Sequence, residues 1–492
     1  MAEQRANLQK SVNDEDTGNT DTKIKALFMD LYDYFRMDSS MDTIILFENL
    51  CCVLIQFPDQ TGILDFDKIS ADPVSRYYTL IEQFRSSGRN AQVRPDVSVF
   101  SNRSQLIHRL MDTAVGVWEL TRDKRRLVPL LFDFLETILQ ARRGETIGTP
   151  LQTAREIVNL AAQTNPSIFF TEMLDPACGS GAFLLAMLEQ ADKNNKFIFS
   201  RIEGLERDEH LRNCVLLMSC LYDSFGSAVK VTVKDGGSPI QIEENKYDLI
   251  LANPPFRTQS LRDRDAVGDS LELPVPTKDI HRAFLQRTLL GLRCGGQSAI
   301  IVPDSFLTHT GSDAIRVRSW IVENFQCMGI IKLPAYTFYP QAAVNASILF
   351  LYKPYSYDHN QPNKSGIFFF TVEVDGRSND PRRRPLLRND FDELRQVWEQ
   401  RETLWQEWSE EARTQNVYGM DVPVQWNHPH FWFGRLEDVR SSDYSLLPEQ
   451  YQPVRLSGEP VQDPKEILAE LQKVGREIME LTQRLAEAEY DR

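Results

Sequence analysis

The apolar run from Tyr247 to Ala252 ends in Asn253, Pro254, Pro255 and Phe256. An amide, two prolines and an aromatic ring in that order can grip an amino group. The side-chain oxygen of Asn253 is an acceptor. Pro254 and Pro255 fix φ and carry no N–H, so the turn is stiff and the Pro254 carbonyl is left to accept a hydrogen bond from outside. Two converging acceptors suit an NH2 group that must lose planarity as it attacks a methyl donor. Phe256 can stack on the ring that bears it. Standing alone, the same four residues read more plainly as a strand terminator with a packed phenylalanine.

A second constellation lies upstream in DPACGSGAF, residues 175–183. A short apolar entry, a tight loop and a helix fit this stretch. Gly179 and Gly181 permit backbone angles and a ligand approach that a side chain would forbid. The helix predicted from Ala182 turns its free N–H groups toward that ligand. The third glycine of a dinucleotide fingerprint is absent; Phe183 and Leu184 stand near its place. Asp175 and Pro176 lead the loop instead. S-adenosylmethionine carries an ammonium, a sulfonium and a carboxylate, and an acid beside glycine amides suits that mixture better than a pyrophosphate. Glu206 closes the next predicted strand, where an acid can accept both ribose hydroxyls. Asp235 closes the third and is placed to accept the adenine amino group. Each acid alone reads as a solvated loop residue. Three at successive strand ends mark the edge where open α/β sheets bind ligands.

The elements that would position these residues alternate. Strand-like runs such as RIEGLE, VKVTVKD, YDLILA, SAIIVP, CMGIIKLP and ASILFLYK are interleaved with helical ones such as EHLRNCVLLMSCLYD and HRAFLQRTLLGLR. The expected fold class is therefore α/β, a doubly wound and mostly parallel sheet. Residues 1–24 are polar and read as a disordered tail. Residues 25–140 carry apolar positions at helical period, with no hairpin signal, and read as an all-helical N-terminal domain. A catalytic domain over 141–355 and a C-terminal extension over 356–460, irregular through WNHPHFWFG, follow. Residues 461–492 read as a helix capped by Asp463, with Pro464 at its first position and Glu466 at N3. Ile467, Leu471, Val474, Ile478, Leu481, Leu485 and Ala488 form a narrow coiled-coil seam that suits a helical partner on another chain, although a helix packed on its own domain is the plainer reading.

Composition narrows the class. The chain has 492 residues, 42% hydrophobic and 25% charged, and a net charge of −15. A protein that held nucleic acid unaided would show a basic face, so a partner is expected to supply much of any phosphate contact. Arg382, Arg383 and Arg384 could touch a phosphate, although an exposed basic loop is the simpler reading. The cysteine count, seven, is odd and includes no C-x-x-C, which argues for reduced thiols. The seven histidines are scattered, and no metal site is expected. No apolar stretch spans a bilayer and the polar N-terminus lacks a signal-peptide core, which points to the cytoplasm.

DPACGSGAF followed by NPPF resembles the amino-group DNA methyltransferases of the adenine-N6 class. GETIGTPLQTAREIVNLA resembles that class's cofactor-binding motif, carried by Thr149 and Pro150, with one residue more between Gly-Glu and Thr-Pro. RCGGQSAIIVPDSFL, IIKLPAYTFYPQAAVNASILFLYK, VDGRSNDPRRRPLLRNDFDEL, SSDYSLLPEQY and the terminal seam extend the resemblance, from about Gly144 onward, to the modification subunit of type I restriction–modification systems. It implies the S-adenosylmethionine-dependent methyltransferase fold and methyl transfer to N6 of an adenine flipped out of double-stranded DNA. Phe256 would stack on one face of the base, and Tyr339 or Phe338 on the other. It also implies a specificity subunit docked on the C-terminal helix and a second copy of the chain, and it leaves open whether a restriction nuclease subunit joins. Competing readings are a protein-glutamine or RNA methyltransferase, a binding subunit of a defence complex without turnover, N4-cytosine methylation, and a dehydrogenase that the glycine pattern disfavours.

Overall fold

The structure is a computed structural model that describes residues 2–37, 42–57, 72–87, 93–141, 148–164, 172–193, 200–222, 230–236, 242–256, 272–340, 344–355, 366–414 and 428–452. The apolar runs become strands, most of them buried on both faces, as parallel sheets require. They are β1 (Glu172–Asp175), β2 (Arg201–Glu206), β3 (Lys230–Asp235), β4 (Tyr247–Ala252), β5 (Leu292–Pro303), β6 (Gln326–Lys332), β7 (Ala346–Tyr352) and β8 (Ile367–Thr371). With β11 (Phe431–Gly434) they form one nine-stranded sheet in the order β11-β8-β6-β7-β5-β4-β1-β2-β3. β7 and β11 run antiparallel to their neighbours, and the other pairings are parallel. β9 (Asp375–Arg377) and β10 (Pro385–Asn389) pair separately.

Alternate side chains of each strand enter different cores. In β4, Leu249 and Leu251 face one apolar cluster while Ile250 and Ala252 face the other. Helices α6 (Leu151–Thr164), α7 (Ala182–Lys193) and α8 (Glu209–Tyr222) cover the first face; α9 (Ile280–Gly291), the short α10 (Asp304–Thr308) and α11 (Ser312–Asn324) cover the second. The chain steps outward from β1 to β3, then crosses back to lay β4 against the free side of β1. Strand order therefore reverses between β1 and β4, which opens a crevice at their carboxyl ends.

The N-terminal region is helical as expected: α1 (Ala2–Arg36), α2 (Thr43–Gln56), α3 (Pro73–Ser86), α4 (Ser104–Thr121) and α5 (Lys124–Ala141). Asp42 caps α2 by accepting the Ile44 N–H at 3.0 Å, and Asp72 caps α3, with Pro73 at its start, by accepting the Ser75 N–H at 3.1 Å. The stretch expected as a tail over 1–24 runs into α1, whose later turns are held where Asp21 pairs with Arg126 at 2.7 Å and Ile24 is buried. Polar composition reports poor self-burial but is blind to a partner a hundred residues away. The helical region also has no core of its own: one apolar cluster runs from Ile24 through the sheet to Phe433. Its polar anchor is the buried Glu48, which meets His210 at 2.8 Å and accepts from Asn213 at 3.3 Å on α8.

The boundary expected at 355 also shifts. β8 and β11 continue the main sheet, with Phe431 opposite Phe370. A four-residue aromatic run has neither the length nor the alternation that signals a strand, so β11 read as irregular. α12 (Phe391–Thr414) packs on α6, where the buried Trp398 donates its indole N–H to the Leu160 carbonyl at 3.0 Å. The coiled-coil seam over 461–492 lies outside the described residues. No described helix is long and apolar enough to cross a membrane.

Candidate active site

The loop between β1 and α7 turns through the left-handed region at Gly179 (φ 52°) and Gly181 (φ 90°). A Cβ at 181 would come within 2.9 Å of the Val215 side chain, so only glycine fits there. The loop is tied down where the Cys178 N–H donates to the Leu205 carbonyl at 3.0 Å and the Gly181 N–H to the Cys178 carbonyl at 2.7 Å. It ends at the N-terminus of α7, on the same carboxyl edge as the last residues of β4.

The three acids take different places on that edge. Glu206 is held against the loop: one oxygen accepts the Gly179 N–H at 2.9 Å, the other the N–H groups of Arg207 at 2.8 Å and Asp208 at 2.9 Å. Burial lifts its carboxyl above the usual range, and those amide bonds oppose the lift. Asp235 lies opposite Glu206 in the β2–β3 register. Its side chain is 76% exposed and is bonded to Arg212 at 3.1 Å. Asp175 is not at the surface of the crevice. It is buried beneath the loop with Pro176, and accepts the Ala177 N–H at 3.1 Å, so it shapes the turn from inside. Burial pushes its carboxyl up to about 8.

Across the crevice, Asn253 donates through Nδ2 to the Thr149 hydroxyl at 3.1 Å, joining residues 104 apart in the chain. Thr149 is buried, and with Nδ2 turned to its hydroxyl Oδ1 is the acceptor end of the amide. Pro254 is buried, Pro255 exposed and Phe256 half-buried. The Phe256 ring meets Phe338 edge-on, with centroids 5.9 Å apart and planes at 89°. Phe338 is 1% exposed and buttresses Phe256, whereas Tyr339 is 39% exposed. Tyr339 lines a cleft of about 790 Å³ bounded also by Lys25, Phe28, Glu136, Gly148 and Pro150. Burial thus separates two neighbours that the sequence left equivalent.

Two residues at this site carry no signal in the sequence. His281, near the start of α9, lies 6.5 Å from the Phe256 ring. It is buried, its Nε2 has no hydrogen-bond partner among the described residues, and burial pushes it down to about 4, so it is neutral. Glu136 reaches the site from α5. Both sit in stretches of helical period, a pattern that says nothing of a site; only the packing brings them in.

Other charged groups behave as ordinary surface chemistry. Arg383 pairs with Asp375 at the β9–β10 hairpin, and Arg382 and Arg384 are exposed. Glu373, Asp390 and His430, distant in sequence, present ligand atoms within 4.8 Å of one another. Arg388 bonds Asp390 at 2.8 Å and Glu373 at 3.1 Å, so a guanidinium already supplies the positive charge there.

Comparison with known proteins narrows the chemistry. The sequence profile of the family described as N-6 DNA Methylase matches residues 133–457. The EcoEI type I restriction enzyme methylase subunit of Escherichia coli is 24% identical over 367 residues, covering 72% of this chain and 68% of that protein. The EcoKI type I restriction enzyme methylase subunit of Escherichia coli K12 is 25% identical over 248 residues, covering 45% of this chain and 44% of that protein. The type I restriction-modification system methyltransferase subunit from Streptococcus thermophilus has the same fold, with a TM-score of 0.59 and 14% identity over 88% of this chain and 99% of that one.

Proposed function

The chain belongs to the N-6 DNA methylase family, and from that premise we propose that it is the modification subunit of a type I restriction–modification system. As such it is an adenine-specific DNA methyltransferase that moves a methyl group from S-adenosylmethionine to N6 of an adenine turned out of the duplex. The observation that carries this reading is the 3.1 Å bond from Asn253 to Thr149, on the strand end next to the glycine loop. It presents an amide oxygen, oriented in advance, beside a pocket for the methyl donor.

The residues fit S-adenosylmethionine. Glu206 is a carboxylate whose Oε2, which accepts only the Gly179 N–H, keeps an acceptor site for a ribose hydroxyl, Asp235 reaches the adenine amino group, and Thr149 and Pro150 flank the methionine side. When bound, the cofactor supplies an electrophilic methyl on a sulfonium. Asn253 Oδ1 and the Pro254 carbonyl accept the two N–H bonds of the target amino group. That draws its lone pair out of ring conjugation. The bound cofactor would pass its methyl to that nitrogen and leave as S-adenosylhomocysteine, with the surplus amino proton going to water. Phe256 stacks on one face of the base and Tyr339 covers the other. Extrusion of the base costs a few kcal/mol. Positioning and electrostatics carry the rate.

Base reading falls to a specificity subunit, in keeping with the net charge of −15. The seam over 461–492 is its dock, and a second copy of this chain completes the complex. The setting is the cytoplasm, in keeping with the seven free cysteines. Deleting residues 463–492 is expected to abolish co-purification with the specificity subunit; an intact complex would refute the dock. The same pull-down reads whether a nuclease subunit joins. The chemistry is tested by incubating the assembled complex with duplex DNA and labelled S-adenosylmethionine, then analysing nucleosides by mass spectrometry. N6-methyladenine is expected. Label in N4-methylcytosine, RNA or glutamine would overturn the assignment.

A further inference from the structure

We propose that Glu136, a residue of the N-terminal helical bundle, is a ligand of the cofactor: its carboxylate receives the ammonium at the amino-acid end of S-adenosylmethionine. The inference rests on the reading of the crevice as that cofactor's pocket.

The carboxylate bridges the two loops that flank the crevice. On one side it lies against Gly148, next to Thr149: a Cβ at 148 would fall 3.0 Å from Oε2 and 3.1 Å from Oε1. On the other side the Ser180 hydroxyl, in the middle of the glycine loop, donates to it. Oε1 is buried and has no hydrogen-bond partner among the described residues. A buried carboxylate oxygen without a donor is costly, and proteins keep such groups where something else completes them. Burial lifts the Glu136 carboxyl above its usual range, and Asp133 nearby lifts it further.

Position decides which cation answers. Glu206, at Gly179, marks the ribose, and Asp235 marks the adenine one strand farther out. The reacting methyl must face Asn253, whose amide is tied to Thr149. The amino-acid end therefore continues past the sulfonium, away from β3, into the space between Ser180 and Gly148. Glu136 is the carboxylate waiting there. An ammonium offers three donors, enough for Oε1 and neighbouring acceptors. The helical bundle thus supplies part of the cofactor pocket and not only a scaffold.

The test measures binding to the full-length chain by calorimetry with three ligands. S-adenosylmethionine carries ammonium and sulfonium, S-adenosylhomocysteine keeps only the ammonium, and 5′-methylthioadenosine lacks the amino-acid end. Glu136→Gln keeps the shape and removes the charge. It is expected to weaken the first two ligands by about tenfold or more, the loss of one charged hydrogen bond, and to leave methylthioadenosine unchanged. Gly148→Ala, whose Cβ displaces the carboxylate, should reproduce that selectivity with the Glu136 side chain intact. Unchanged affinity for S-adenosylmethionine and S-adenosylhomocysteine overturns the proposal. Loss confined to S-adenosylmethionine overturns it in favour of a sulfonium contact, and equal loss for all three in favour of a packing role. A wild-type chain that binds none of them overturns the pocket itself, and the Glu136 assignment with it.

Discussion

Asn253→Ala is expected to slow methyl transfer by on the order of 10²–10³-fold, the usual consequence of deleting one preorganised polar partner from a reacting centre, while S-adenosylmethionine binds as before. The reason is where the side chain points. Its nitrogen is committed to Thr149 at 3.1 Å, so its oxygen serves the substrate rather than the cofactor. The measurement is single-turnover transfer by the complete complex, with cofactor affinity taken separately by calorimetry. Full activity with every partner subunit present would remove Asn253 from the mechanism. Thr149→Val extends the same logic. It keeps the shape but removes the acceptor that orients the amide, so a smaller loss of about tenfold follows. With cofactor saturating, Thr149 acts on the transfer step through Asn253, so the double variant should be no slower than Asn253→Ala alone. A fully additive loss would show that Thr149 acts on transfer by another route.

Glu206→Ala carries the second large effect, and it falls on binding. Losing a charged hydrogen bond to the ribose, together with the carboxylate that braces the glycine loop, predicts about 10²-fold weaker S-adenosylmethionine binding. The same carboxylate also accepts the Gly179, Arg207 and Asp208 amides at 2.8–2.9 Å, so its removal loosens the glycine loop as well. The pH dependence has a definite sign. Burial raises the Glu206 carboxyl above its usual range, and the ionised form is the one that accepts hydroxyls. Affinity should therefore fall as pH drops through that raised pKa, and this acid limb should vanish in the alanine variant. Equal affinity of wild type and variant across pH would take Glu206 out of the pocket.

Much of the site was legible because its demands on the backbone are local. Gly179 and Gly181 announce a left-handed turn, and the φ values of 52° and 90° are the reason side chains are excluded. Pro254 and Pro255 announce a stiff turn at a strand end. Other features were legible only as options. Phe338 and Tyr339 are both aromatic neighbours of a proline, and nothing along the chain says which one the core takes. Asp175 read as an acid facing a ligand, yet the turn it builds draws it beneath the loop, where it accepts the Ala177 amide. β11 went unread because three aromatic residues and a glycine acquire strand character only from pairing with β8.

By itself the sequence determined the alternating strands and helices, the glycine turn, the acids at strand ends and the Asn-Pro-Pro-Phe turn. Each depends on periodicity or on dihedral preferences that neighbouring residues impose. The tertiary structure alone decided that Asn253 is held by Thr149, that His281 and Glu136 reach the crevice, that the helical bundle shares the sheet's core, and that β8 and β11 extend the sheet. These depend on groups from separate elements meeting in the fold, where burial and hydrogen-bond satisfaction are settled jointly by the whole packed chain.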